Sequence, residues 1–123
     1  RKPLKAIVGL LITGSSVVLL ASRTRAEEIE WVAVPGTQVS DGELGQYEYL
    51  IGANTIVRNG DSINFDFLST AHFNYARLAG NCSTGWLVAI AEGIYDENGN
   101  IVITIEAQRD ANAPKALEFA CSQ

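Results

Sequence analysis

One histidine, two cysteines and fourteen carboxylates are the residues from which this 123-residue chain could build catalytic or metal chemistry. Nucleophilic catalysis needs a base within hydrogen-bond reach of the nucleophile. His72 has Ser69 and Thr70 as sequence neighbours and Asp66 further upstream. Sequence neighbourhood alone does not bring side chains together, and this stretch reads as a turn between strands, so His72 is expected on an exposed loop. Zinc is held by several His or Cys ligands, more than one histidine and a bonded cysteine pair supply. The run "DENGN" offers Asp96, Glu97, Asn98 and Asn100 as oxygen ligands. An EF-hand loop has its glycine at the sixth position and a distal glutamate. Here Gly99 stands three residues after Asp96, which is hairpin-turn spacing. No catalytic set, no metal site and no cofactor are expected.

Aromatic side chains are the remaining chemistry. Trp31, Tyr47, Tyr49, Tyr75, Trp86 and Tyr95 are types enriched at binding surfaces, and equally at home in cores and cross-strand pairs. In "QYEYLI", Tyr47 and Tyr49 share one face by alternation, with Glu43 and Glu48 beside them. They are the expected ligand-contact strip.

Such residues need a scaffold, and the pattern predicts strands. "EIEWVAV" alternates, with Ile29, Trp31 and Ala33 on one face. "QYEYLI" alternates again, and "SINFDFLS" separates Ile63, Phe65 and Phe67 from Ser62, Asn64 and Asp66. "HFNYARLAG" is expected to pair with it, and the nearly continuous apolar run "GWLVAIAEGIY" is placed centrally in the sheet. "IVITIEA" returns with Ile101, Ile103 and Ile105 toward the core. Asn59-Gly60 and "DENGN" are read as turns, Asn-Gly because both central positions of a type I′ turn take positive φ. The chain is therefore expected to be an α+β domain, an antiparallel five- to six-stranded meander with one C-terminal helix.

In the tail, Ala113, Ala116, Leu117, Ala120 and Cys121 recur on one helical face, Pro114 suits a first turn, and Asn112 is placed to cap. Leu117, Phe119 and Cys121 also alternate as a strand would; alanine content and the proline favour the helix. A helix this short is unstable alone. A bond between Cys82 and Cys121 would pin it to the sheet, and closing a loop of this length stabilises by roughly 4 kcal/mol in the chain-entropy description.

The first residues have a different character. Arg1, Lys2 and Lys5 precede the apolar run 6–21, and "TRA" ends at Ala26. That order reads as a signal peptide over residues 1–26, with an uncleaved membrane anchor as the alternative. The domain then spans residues 27–123. Five of the nine basic residues lie in the leader, leaving 4 basic against 14 acidic groups, a formal net charge of −10. Such a surface repels nucleic acid and anionic lipid. Membrane contact is expected only through residues 6–21, should they be retained. Two cysteines in an exported domain are expected to be oxidised.

With these features in order (an early Trp31, "YLIGANTIVRNGDSINFDF", "YARLAGNCSTGWLVAIAEGIYDENGNIV" and a terminal helix ending in Cys121) the chain resembles the bacterial surface-adhesin protein E-like family. The resemblance covers most of residues 29–123. It implies an antiparallel sheet with a disulfide-held helix, location in the periplasm or at the cell surface, and binding of a protein or extracellular-matrix ligand. The family usually has Asp where this chain has Gly52. The alternative reading is an accessory or structural subunit of an envelope or membrane complex, held by an uncleaved N-terminal helix.

Overall fold

The computed structural model describes residues 29–43, 45–106 and 108–123. The expected leader, residues 1–26, lies outside them. In chain order the elements are β1 (Trp31–Ala33), β2 (Val39–Asp41), β3 (Gly45–Tyr47), β4 (Tyr49–Gly52), β5 (Val57–Asn59), β6 (Ser62–Ser69), β7 (Asn74–Asn81), β8 (Leu87–Tyr95), β9 (Ile101–Ile105), β10 (Arg109–Asp110) and α1 (Pro114–Cys121). Eight strands form one antiparallel sheet in the order β1-β4-β6-β7-β8-β10, with β5 also on β6 and β9 also on β8. β2 and β3 form a separate two-stranded ribbon. The α+β class, the antiparallel sheet and the single C-terminal helix are as the pattern predicts.

The strand number exceeds five or six because the flanking strands are broken. The three long strands β6, β7 and β8 make the centre. On one flank, β6 pairs with β5 along Ser62–Asn64 and with β4 along Phe67–Ser69. On the other, β8 pairs with β10 at Val88 and Ala89 and with β9 along Glu92–Tyr95. "QYEYLI" is likewise split, with Glu48 between β3 and β4.

Threonine hydroxyls fill the places these breaks leave. Between β4 and β5 the chain makes a 3-10 turn, Ala53–Thr55, and the Asp66 N–H faces no strand carbonyl there. It donates instead to Thr55 Oγ1 at 2.8 Å, and that hydroxyl donates to the Gly52 carbonyl at 2.7 Å. Thr37 accepts the Tyr49 N–H and donates to the Val34 carbonyl. Thr70 accepts the Glu48 N–H and donates to the carbonyl of the same residue. A buried backbone donor left without a partner is costly, so each break in a ladder needs such a substitute.

One face of the sheet carries Ile51, Ile63, Phe65, Leu78, Leu87 and Ala89, all buried against Ala113, Ala116, Leu117 and Ala120 around α1. Pro114 occupies the first turn, and the helix reading of the tail holds over the strand one. The N-cap is Ala113, with no side-chain cap, so Asn112 does not cap the helix. Lys115 ties this end to the loop after β1 by donating to the Gly36 carbonyl at 2.8 Å. Gly80 lies under the helix, where a Cβ would meet the Trp86 carbonyl at 2.6 Å and Leu117 Cδ1 at 3.1 Å. Only glycine lets β7, the next loop and α1 approach so closely.

The other face folds in on itself. Bulges between Arg77 and Leu78 and between Glu92 and Gly93 strengthen the twist. As a result Trp31 of β1 and Tyr95 at the end of β8 meet edge-to-face, ring centroids 5.9 Å apart. Leu68, Tyr75 and Asp66 are buried on this side, although no helix covers it.

Two turn details differ from the sequence reading. In the β5–β6 hairpin Asn59 pairs with Ser62, so the two-residue loop is Gly60-Asp61. Gly60 alone takes positive φ, +63°, which fits a turn with glycine at the first central position. "DENGN" is a turn as expected. Asp96 Oδ1 accepts the Asn98 and Asn100 N–H groups, and Gly99 has φ +82°. Ile101, Ile103 and Ile105 do not join the buried core. Their strand lies at the flank, and α1 covers the opposite end of the sheet.

Cys82 and Cys121 are bonded, S–S 2.08 Å and Cα–Cα 5.8 Å. Around them the Cys82 N–H donates to the Asp61 carbonyl at 2.7 Å. Arg58 donates from Nη1 to the Cys121 carbonyl at 2.8 Å and from Nε to the Gly60 carbonyl at 2.9 Å. The bond thus joins two hairpin turns and the end of α1 in one corner.

Candidate functional site

Inside the curled face lies a charged pair. Hairpin register over the β6–β7 turn sets Asp66 opposite Arg77 and Leu68 opposite Tyr75. Asp66 is 1 % exposed. Its Oδ1 accepts Arg77 Nη1 at 2.6 Å and the Tyr75 hydroxyl at 2.9 Å. Arg77 Nη2 donates to Asn64 Oδ1 at 3.1 Å. Burial pushes the Tyr75 phenol well above its ordinary value, and the Asp66 charge beside it adds to the rise. The carboxylate is therefore held by a cation and a hydroxyl, and the network clamps β6 to β7.

The residues singled out by sequence are dispersed. His72 is exposed in the β6–β7 turn, and the Thr70 hydroxyl beside it is engaged with Glu48. Tyr49 stacks edge-to-face on Phe67, centroids 4.9 Å apart, on the helix side of the sheet. Tyr47 belongs to the separate ribbon, opposite Val39. The two tyrosines are half-buried, Tyr47 at the end of β3 and Tyr49 at the start of β4. Tyr75 is buried, Trp31 packs on Tyr95, and Trp86 is exposed in the turn beside the disulfide. Next to that turn, Cys82, Gly85, Pro114, Lys115, Leu117, Glu118 and Cys121 line a shallow groove.

The largest departure from the sequence reading is at the end of the sheet that α1 leaves bare. Ile94 of β8 and Val102 of β9 are direct cross-strand partners, 46 % and 44 % exposed. Phe73, exposed as well, stands at the same end, its carbonyl accepting the Tyr95 N–H. Ile90, the residue bulged out where β8 passes Arg77 and Leu78, is also exposed; Ile103, opposite Gly93, is exposed on the other face of the sheet. Scattered exposed apolar residues are ordinary, but a contiguous cross-strand group marks a contact surface. Alternation in "IVITIEA" assigned its isoleucines to the core and left this surface unread.

Among the described residues no group of three or more His, Cys, Asp or Glu side chains is placed to hold a metal ion, and no helix is long and apolar enough to cross a membrane. Comparison with known proteins finds no family model, no curated protein and no solved structure that matches the chain.

Proposed function

We propose that this chain is an exported, non-catalytic binding domain of the cell envelope. It contacts a protein or matrix ligand through the bare β8–β9 end of its sheet. The observation that carries this reading is the exposed pair Ile94–Val102 with Phe73 beside it, apolar surface that the domain's own helix does not use. The disulfide supports an oxidising compartment. The sequence resemblance to surface-adhesin E-like proteins supports adhesion as the purpose of the contact.

The test is affinity capture with the tagged oxidised protein against immobilised matrix proteins and envelope extracts, run beside Ile94→Asp/Val102→Asp and Tyr47→Ala. A ligand retained by the wild type and by Tyr47→Ala, and lost by the double aspartate variant with its disulfide intact, supports the reading. Equal capture by the wild type and the aspartate variant moves the contact elsewhere. Turnover of a substrate abolished by His72→Ala rejects a non-catalytic role.

A further inference from the structure

Asn-Gly occurs at Asn59-Gly60 and again at Asn98-Gly99, and both asparagines are exposed. An asparagine before glycine is open to a reaction with its own backbone, because glycine has no side chain to hinder the approach of its nitrogen. That nitrogen gives its proton to solvent base and bonds to the asparagine Cγ. The bond from Cγ to the side-chain nitrogen breaks, and ammonia leaves. Water then opens the cyclic imide at either carbonyl. Opening at the side-chain carbonyl gives aspartate; opening at the main-chain carbonyl gives isoaspartate, with one more carbon in the main chain.

Ring closure needs the glycine nitrogen to turn onto Cγ, so the backbone must leave its turn geometry. The two pairs differ in what that opening disturbs. Asn59 closes β5 as a rung of the sheet, opposite Ser62. The Gly60 carbonyl accepts Arg58 Nε, and Arg58 Nη1 also holds the Cys121 carbonyl at the end of α1. The Asp61 carbonyl accepts the N–H of Cys82, which is itself bonded to Cys121. Opening this turn therefore strains α1, the β7–β8 turn and the disulfide corner together. Asn98 instead lies outside any strand, in the tip between β8 and β9. The bonds that hold the tip run within residues 96–100. Asp96 Oδ1 accepts the Asn98 and Asn100 N–H groups, the Asp96 carbonyl accepts the Gly99 N–H, and the Asp96 N–H donates to the Asn100 carbonyl. An exposed unit braced only by its own residues opens at low free-energy cost. We propose that Asn98 is a site of self-modification to aspartate and isoaspartate in the folded protein, and that the disulfide corner protects Asn59 in the same dipeptide. Only the Tyr95–Ile101 pair separates the modified tip from Ile94 and Val102, so each event adds a negative charge beside that surface.

The experiment ages the full oxidised chain in mildly alkaline buffer, with a mild detergent to shield residues 6–21. Peptide mapping by mass spectrometry reads the amide-to-acid mass gain at each asparagine and separates aspartate from isoaspartate peptides. A parallel sample is reduced, thiol-blocked and held unfolded in guanidinium chloride. In the folded protein Asn98 is expected to react at least about fivefold faster than Asn59, and in the unfolded sample the two are expected to agree within about twofold. The Asn98→Ser variant is expected to lose the gain at residue 98 and to keep the slow rate at Asn59. Folded-state rates that are equal, or faster at Asn59, overturn the inference. So does an Asn98 that stays intact in the folded protein while the unfolded sample reacts. The same preference for Asn98 in the unfolded sample overturns it as well, because the cause would then be local sequence and not the fold. Ligand capture is measured separately, and its failure bears on the proposed function alone.

Discussion

Tyr75 donates its hydroxyl hydrogen to the same oxygen of Asp66 that Arg77 holds, 2.9 Å away inside the curl of the sheet. The phenol cannot ionise there without facing a carboxylate in a desolvated site. Its folded-state pKa is raised above the ordinary tyrosine value of about 10, first by burial and then by Asp66. The stability linked to this group is fully present below pH ~10 and is lost as pH rises beyond it, because only the unfolded chain releases the proton readily. Urea unfolding at pH 9 and pH 11 should therefore show a falling midpoint, and Tyr75→Phe should flatten that fall. An equal fall in the phenylalanine variant would exclude Tyr75 as its source.

Two ion pairs test what burial does to charge. Arg77–Asp66 has one partner almost sealed from water, while Arg109–Glu92 is 3.3 Å long and open to solvent. Arg77→Ala should destabilise by about 3 kcal/mol, because it strands the Asp66 charge. Arg109→Ala should change stability by less than about 1 kcal/mol. Denaturant midpoints at pH 7 decide between this order and its reverse.

Gly52 and Thr55 share one small space. A Cβ at Gly52 would lie 2.8 Å from both Ile29 Cγ2 and Thr55 Oγ1. Gly52→Asp should destabilise by about 1–3 kcal/mol by overpacking. Thr55→Val keeps the shape but leaves the Asp66 N–H without its acceptor, and should lose about 1–3 kcal/mol. A neutral result for Thr55→Val would mean that water replaces the hydroxyl.

Cys121→Ser removes the covalent link between α1 and the β7–β8 turn. Stability should fall by about 2–5 kcal/mol, and mass spectrometry of the oxidised wild type should show the Cys82–Cys121 peptide two hydrogen atoms lighter than its reduced form. Two free thiols in protein prepared under oxidising conditions would contradict the pairing.

Much of this architecture was readable because local rules governed it. Alternation in "SINFDFLS" gave a strand with its apolar face toward the helix, and Pro114 with the alanine face gave α1. The cysteine pair gave the bond. What escaped depended on distance along the chain. At Glu48 the hydroxyl of Thr70, far off in sequence, substitutes for a strand partner, and at Ala53–Thr55 the Thr55 hydroxyl does so for the distant Asp66 N–H. Ile103 alternates as a core residue does, but its register opposite Gly93 puts it on the curled face, away from α1, at the flank of the sheet. Asp66 was read as belonging to a polar strand face; curling of the sheet buried it. The pair was still within reach of sequence reasoning. A turn over residues 70–73 sets Ser69 against Asn74, and counting outward brings Asp66 to Arg77.

The cross-link also has a mechanical meaning. Cys82 and Cys121 are 39 positions apart, so the intervening chain cannot lengthen while the bond is intact. At roughly 3.3–3.6 Å per extended residue, that withholds about 130 Å of contour from any pulling force. A domain tethered at its N-terminal end and loaded by an attached ligand would first peel β1 from β4 and then draw out strands up to β7. The loop holding β8, β9 and α1, which carries Ile94 and Val102, would stay closed. Tension would shorten the sheet from its N-terminal flank without stretching the backbone of that segment.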